Sequence, residues 1–213
     1  MPNKPVATDT IHEQQTIGEI PNHLLDYPIK NAAASRPLIG EIAEDFAMSL
    51  YTCNVRRLRV NSGRICPDIK LGDDAYAEVK AIGQGGASHL FKTRIEKYHT
   101  FMNSKVSPRI EYVYIFHDAK WEQDDTRDSM RHKVIESIYR VLFIDAKKLH
   151  QVVLFLPEKK FNIKGRPELD KGYRLTKNIM NVMWALSERS YTQKKYIYTA
   201  YRSMNNLPIG LIQ

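Results

Sequence analysis

Apolar positions recur at helical spacing in residues 37–50, where Ile39, Ile42, Ala43, Phe46, Ala47 and Leu50 form one stripe opposite Glu41, Glu44 and Asp45. Ser35 is a cap candidate and Pro37 falls in the first turn, where its missing N–H costs nothing, so a helix is expected to start there. The period then shortens. Residues 53–60, 65–71 and 75–82 read as strands, separated by the turns Asn61-Ser62-Gly63 and Gly72-Asp73-Asp74. After Gly83-Gln84-Gly85-Gly86, a helix capped by Ser88 is expected to run to residue 103, with Phe91, Ile95, Tyr98 and Met102 along one side. Residues 110–116, IEYVYIF, have the β-branched and aromatic content of a central strand. A charged helix over 124–139, a strand at 141–145, a short helix or turn at 146–151 and an apolar strand at 152–157 complete an α/β core. The expected organisation is a loose arm over 1–20, a core over 21–157, and a basic extension over 158–213 packed on it, with a helix at 176–188.

The 67–80 stretch, PDIKLGDDAYAEVK, has a definite geometry if Gly72-Asp73-Asp74 is its turn. Leu71 then lies opposite Ala75, Ile69 opposite Ala77, and Asp68 opposite Glu78. Side chains alternate along a strand and match across it, so one face collects Ile69, Leu71, Ala75, Ala77 and Val79. The other collects Asp68, Lys70, Tyr76, Glu78 and Lys80. Two adjacent carboxylates repel unless protonated or bridged by a cation. With the Val79 carbonyl between them, their oxygens suit Mg²⁺, or Mn²⁺ in its place. Lys80 can then act on a nucleophilic water or on a pentavalent phosphate. The plain alternative is a pair of surface acids facing Lys70 and Lys80 across the strands.

Charge changes the picture through its distribution. The 213-residue chain carries a net charge of +8, and residues 158–202 hold eleven basic residues against four acidic ones. Such a surface suits a polyanion, with nucleic acid the commonest choice. Lys164, Arg166, Lys171 and Arg174 in this segment, and Lys92 on the helix after the hairpin, are candidate DNA contacts. Cys53 and Cys66 are too few for a disulfide framework and read as two buried thiols. The chain shows no secretory signal and no membrane span, and a cytoplasmic protein is expected.

The same residues carry a resemblance. Pro67-Asp68, nine residues, and then Glu78-Val79-Lys80 resembles the signature of the PD-(D/E)xK nuclease superfamily, which includes many restriction endonucleases and Holliday-junction resolvases. Gly40-Glu41-Ile42-Ala43-Glu44 is similar to the resolvase pattern of a glycine followed four residues later by a helix acid. The resemblance implies a restriction endonuclease-like α/β core, a mixed central sheet flanked by helices, over residues 37–117. It implies Asp68, Glu78 and the Val79 carbonyl as metal ligands, Lys80 as catalytic, Glu44 completing the site in preference to Glu41, and Gln84 as a polar neighbour of it. The implied activity is Mg²⁺-dependent hydrolysis of double-stranded DNA by a homodimer, as in a type II restriction enzyme. A junction resolvase and an inactive nucleic-acid-binding protein are the alternatives.

Overall fold

The computed structural model describes residues 29, 32–58, 66–83, 86–161, 171–175, 186–187, 189–194 and 197–201. The expected N-terminal arm, most of the expected 176–188 helix, Gln84, Lys164 and Arg166 lie outside them. The elements, in chain order, are α1 (Ala32–Ser49), β1 (Val55–Arg57), β2 (Ile69–Leu71), β3 (Ala75–Ile82), β4 (Ser88–Phe91), α2 (Lys92–Met102), β5 (Arg109–His117), α3 (Arg127–Glu136), β6 (Ile138–Asp145), α4 (Ala146–Val153), β7 (Lys159–Lys160), β8 (Lys171–Leu175), β9 (Arg189–Lys194) and β10 (Ile197–Tyr201).

The chain has an α/β fold. Five strands in the order β1-β2-β3-β5-β6 make a mixed sheet that β9 and β10 continue beyond β6. Among the described strands only β3 and β5 run parallel, because β4 and α2 form the crossover between them. Period-2 alternation sorts the centre. On β5, Val113 and Ile115 face a core with Ala43 and Ala47 of α1 and Leu50 just past its end, while Tyr112, Tyr114 and Phe116 face Ile95, Tyr98 and Met102 of α2 and Leu149 and Val153 of α4. The sheet is therefore covered on both faces. Ile29 and α3 close over α1, with Met130 and Val134 packed against Leu38 and Ile42.

The hairpin has the expected register, with Ile69 opposite Ala77 and Leu71 opposite Ala75. Gly72 takes φ +59, a conformation natural to glycine, at the head of the turn. Its apolar face packs as expected, but its other face is not solvated: Tyr76 and Glu78 are buried beneath α2.

Several elements differ from the sequence pattern. Helix α1 begins at Ala32, so Ser35 is a buried helical residue rather than a cap; the alanines before Pro37 extend the helix toward its start. Residues 88–91 form strand β4 rather than the first turn of a helix, and α2 begins only at Lys92. Ser88 and Leu90 point inward while His89 points out, and β8, some eighty residues on, supplies the pairing. The expected strand at 152–157 is absent. Ala146, Leu149, His150 and Val153 are buried at helical spacing, and Leu154 and Phe155 are left exposed past the helix end. Cys53 is exposed, not buried, and Cys66 is half-buried.

A small sheet, β4-β8-β7, stands beside the main one. Within it β8 lies tight against β4 at Gly172, opposite Phe91: a Cβ there would lie 2.4 Å from the Leu90 carbonyl oxygen and 2.8 Å from the Phe91 Cα. Gly172→Ala is expected to push β8 off β4 and destabilise the protein by about 1–3 kcal/mol, read as a lower melting temperature. Lys171→Ala, at an exposed neighbouring position, should stay within about 0.5 kcal/mol of wild type.

Candidate active site

Strand β2 begins at Ile69, so the edge of β3 beyond Ala77 has no ladder partner from β2. Asp68 fills that place. Its N–H donates to the Ala77 carbonyl at 2.9 Å, its own carbonyl accepts from the Leu58 N–H at 2.7 Å, and its Oδ2 accepts from the Val79 N–H at 2.7 Å. A strand residue's N–H and C=O leave on the same edge, so the Val79 carbonyl is directed toward Asp68 as well.

Glu78 and Lys80 project from β3 toward α2, as the alternation requires. Glu78 is fully buried. Its Oε1 accepts from Lys80 Nζ and Arg94 Nη1, and its Oε2 from the Tyr98 hydroxyl. Burial by itself would raise its pKa; the charges of Lys80 and Arg94 outweigh this and hold the carboxyl below the usual range. The Lys80 and Arg94 side chains are 23% and 26% exposed, so each joins the buried acid while keeping part of its surface toward solvent.

The other two acids behave in the opposite way. Burial, and then the Glu78 charge, push Asp68 up to about 6, against the pull of Lys80, the Val79 N–H and Arg94. Burial and the charge of Asp68 push Glu44 up to about 7, although Arg57 Nε lies 2.9 Å from its Oε2. Arg57 is shared, its Nη2 lying 2.7 Å from Asp45 Oδ1. Glu41 pairs instead with Arg127 of α3 at 2.8 Å, so Glu44 is the helix acid turned toward Asp68's field. Cys66 is raised to about 11 by burial and the charges of Asp68 and Glu78, which keeps its thiol protonated.

Asp68, Glu78, Lys80, Val79 and Glu44 are thus drawn into one region, though not as a finished metal cage. Among the described residues, no three His, Cys, Asp or Glu side chains are grouped to hold a metal ion. The direction of Glu78 explains this, since both its oxygens turn to Lys80, Arg94 and Tyr98. The donors that remain, two carboxylates short of positive charge and the Val79 carbonyl, are the hard oxygen ligands that Mg²⁺ or Mn²⁺ prefers.

Arg94 and Tyr98 escaped the sequence reading as site residues. Their signal was their spacing of four on a helix whose Ile95 and Met102 were already assigned inward, which stacks them on one side. Of the candidate DNA contacts, Lys92 begins α2 and pairs with Glu158 at 3.2 Å. Lys171 and Arg174 lie on β8, opposite Lys160 and His89. Among the described residues, no helix is long and apolar enough to cross a membrane. No family model, curated protein or solved structure matches the chain.

The raised acids set the sign of a pH dependence. Asp68 and Glu44 bind protons more tightly folded than unfolded, so their stabilising contribution is complete below their ordinary values of 3.8 and 4.5 and is lost as pH rises through about 6 and 7. In EDTA, stability is expected to fall over that window, by roughly 2–3 kcal/mol from Asp68. Asp68→Asn should flatten the slope, and Mg²⁺ should raise the melting temperature more at the alkaline end than at the acid end. Equal slopes for wild type and Asp68→Asn in thermal unfolding would contradict the assignment.

Proposed function

We propose that the protein is a metal-dependent endodeoxyribonuclease with a restriction endonuclease-like core, acting on duplex DNA. The observation that carries this reading is the convergence, at one sheet edge, of two half-buried acids only partly answered by positive charge with a third, fully buried acid that holds two partly exposed cations. A structural ion cluster would balance its charges internally; here the surplus on Asp68 and Glu44 calls for an external cation. The carboxylates of Asp68 and Glu44 and the Val79 carbonyl would hold Mg²⁺ or Mn²⁺, with Glu78 as a further ligand only if it turns from its cations. When bound, the ion supplies activation of water and stabilisation of charge on phosphoryl oxygens.

The chain's own groups do the rest. The Lys80 ammonium and the Arg94 guanidinium, held in place by Glu78, face the solvent from which a phosphodiester would arrive. They are suited to stabilise negative charge as it grows on the scissile phosphate, and Lys80 also to orient the attacking water. Tyr98 fixes the remaining oxygen of Glu78, so the cations are held before substrate binds. Cutting both strands of a symmetric duplex needs two such sites, which a homodimer would supply.

A second reading has its own support. The full pairing of Glu78, and the absence of a three-ligand group among the described residues, fit a nucleic-acid-binding protein that does not cut. The two separate in a Mg²⁺-dependent cleavage assay on plasmid, long linear duplex and a four-way junction. Asp68→Asn and Lys80→Ala are expected to bind DNA yet lose at least about a hundredfold in cutting rate. Discrete duplex fragments would identify a sequence-specific restriction-type enzyme, and paired nicks in the junction alone a resolvase. No cutting of any substrate by wild type, with DNA binding intact, would support the second reading.

A further inference from the structure

We propose that the outer face of the small β4-β8-β7 sheet is a docking surface for single-stranded DNA. The inference rests on the nuclease reading only in its choice of DNA as the partner.

The register builds this face from three separate parts of the chain. His89 and Phe91 alternate outward on β4 with Ser88 and Leu90 inward. Arg174 lies opposite His89, Gly172 opposite Phe91, and Lys159 opposite Gly172. Phe161 follows Lys159 by two residues and therefore returns to the same side. Because Gly172 has no side chain in the middle strand, the Phe161 ring reaches across to β4. Its centroid lies 4.7 Å from that of His89, tilted by 40°, and 5.6 Å from that of Phe91, nearly perpendicular.

Three rings on an outward face, His89 exposed and both phenylalanines only half-buried, are costly to leave in water. Their surroundings say what would cover them. Lys159 and Arg174 are exposed on the same face as the rings, Lys160 and Lys171 are exposed on the other face, and the neighbouring acid, Glu158, is taken by Lys92. Burial and the Arg174 charge lower the pKa of His89, which favours its neutral, stacking form. Such a cationic rim argues against an apolar protein partner and for a polyanion. A duplex would use the cations through its phosphates but would keep its base faces stacked within the helix. Only unpaired bases offer π faces to the rings while their backbone tracks the cations. The face also adjoins the candidate site in the chain, since α2 leaves β4 at Lys92 and carries Arg94 to Glu78.

The test uses the full chain in EDTA, with fluorescence anisotropy of a labelled oligothymidylate and of a duplex of equal length at matched salt. Wild type is expected to bind the single strand more tightly. Phe161→Leu should weaken single-strand binding about tenfold and duplex binding less than about twofold, while Phe161→Tyr, which keeps the ring, should bind as wild type. Lys159→Gln should weaken both and lower the single-strand salt slope by about 0.7. Equal melting temperatures of wild type and variants guard against loss of the fold. The proposal is overturned if Phe161→Leu and Phe91→Leu bind the single strand as wild type does, or if the loss is equal on duplex. Because no cleavage is needed, ring-dependent binding by a protein that never cuts would support this surface and sink only the nuclease reading. Cutting that survives with no ring dependence would do the reverse.

Discussion

A carboxylate buried at the centre of a sheet layer is tolerable only if its charge is answered, and Glu78 is answered three times. Lys80 from its own strand, Arg94 and Tyr98 from α2 all reach its oxygens. This arrangement ties α2 to β3 across the face that Tyr76, Tyr112 and Tyr114 otherwise line. Removing either cation would leave a charge in an apolar layer with one partner fewer, a change that costs far more than the loss of an exposed ion pair. The same contacts aim two cations at solvent from fixed positions. One interaction therefore both holds a layer of the fold together and sets the electrostatics of its candidate site.

Charge is distributed unevenly around that anchor. Glu78 consumes the positive charge of Lys80 and Arg94, so Asp68 receives only a share of their field, and Glu44 divides Arg57 with Asp45. Both acids are therefore held where protonation or an added cation is favoured. Such tension is common at functional sites, where stability gives way to chemistry. The backbone takes part too. Because β2 starts one residue after Asp68, the Val79 amide looks for a partner and finds the Asp68 carboxylate. A longer β2 would have satisfied Val79 through the ladder and left Asp68 unconstrained.

The hairpin was legible because its information is local. The Gly72 turn and the alternation of Ile69, Leu71, Ala75 and Ala77 set the register without reference to the rest of the chain. The burial of Tyr112 and Tyr114 in a central strand and the inward side of α2 at Ile95, Tyr98 and Met102 were legible for the same reason. What failed were stretches whose form depends on a distant partner. Ser88-His89-Leu90-Phe91 can begin a helix or continue a strand, and β8 decides it. The apolar run at 152–157 resembles a strand, but the sheet has its neighbours already and α4 needs Val153 for its own buried side.

The sequence by itself determined the pairing of Asp68 with the Glu78-Val79-Lys80 segment, the choice of apolar face on that hairpin, and the excess of basic charge in the last third of the chain. These follow from the period of side chains along a strand and from composition, and neither needs a third dimension. The tertiary structure decided that Glu78 is buried rather than solvated, that Arg94 and Tyr98 complete its shell, and that Glu41 is diverted to Arg127 while Glu44 turns toward Asp68. It also gathered His89, Phe91, Phe161 and Arg174 onto one face. The physical reason is that the environment of a charge or a ring depends on which elements pack over it, and that packing joins residues whose separation along the chain carries no periodic signal.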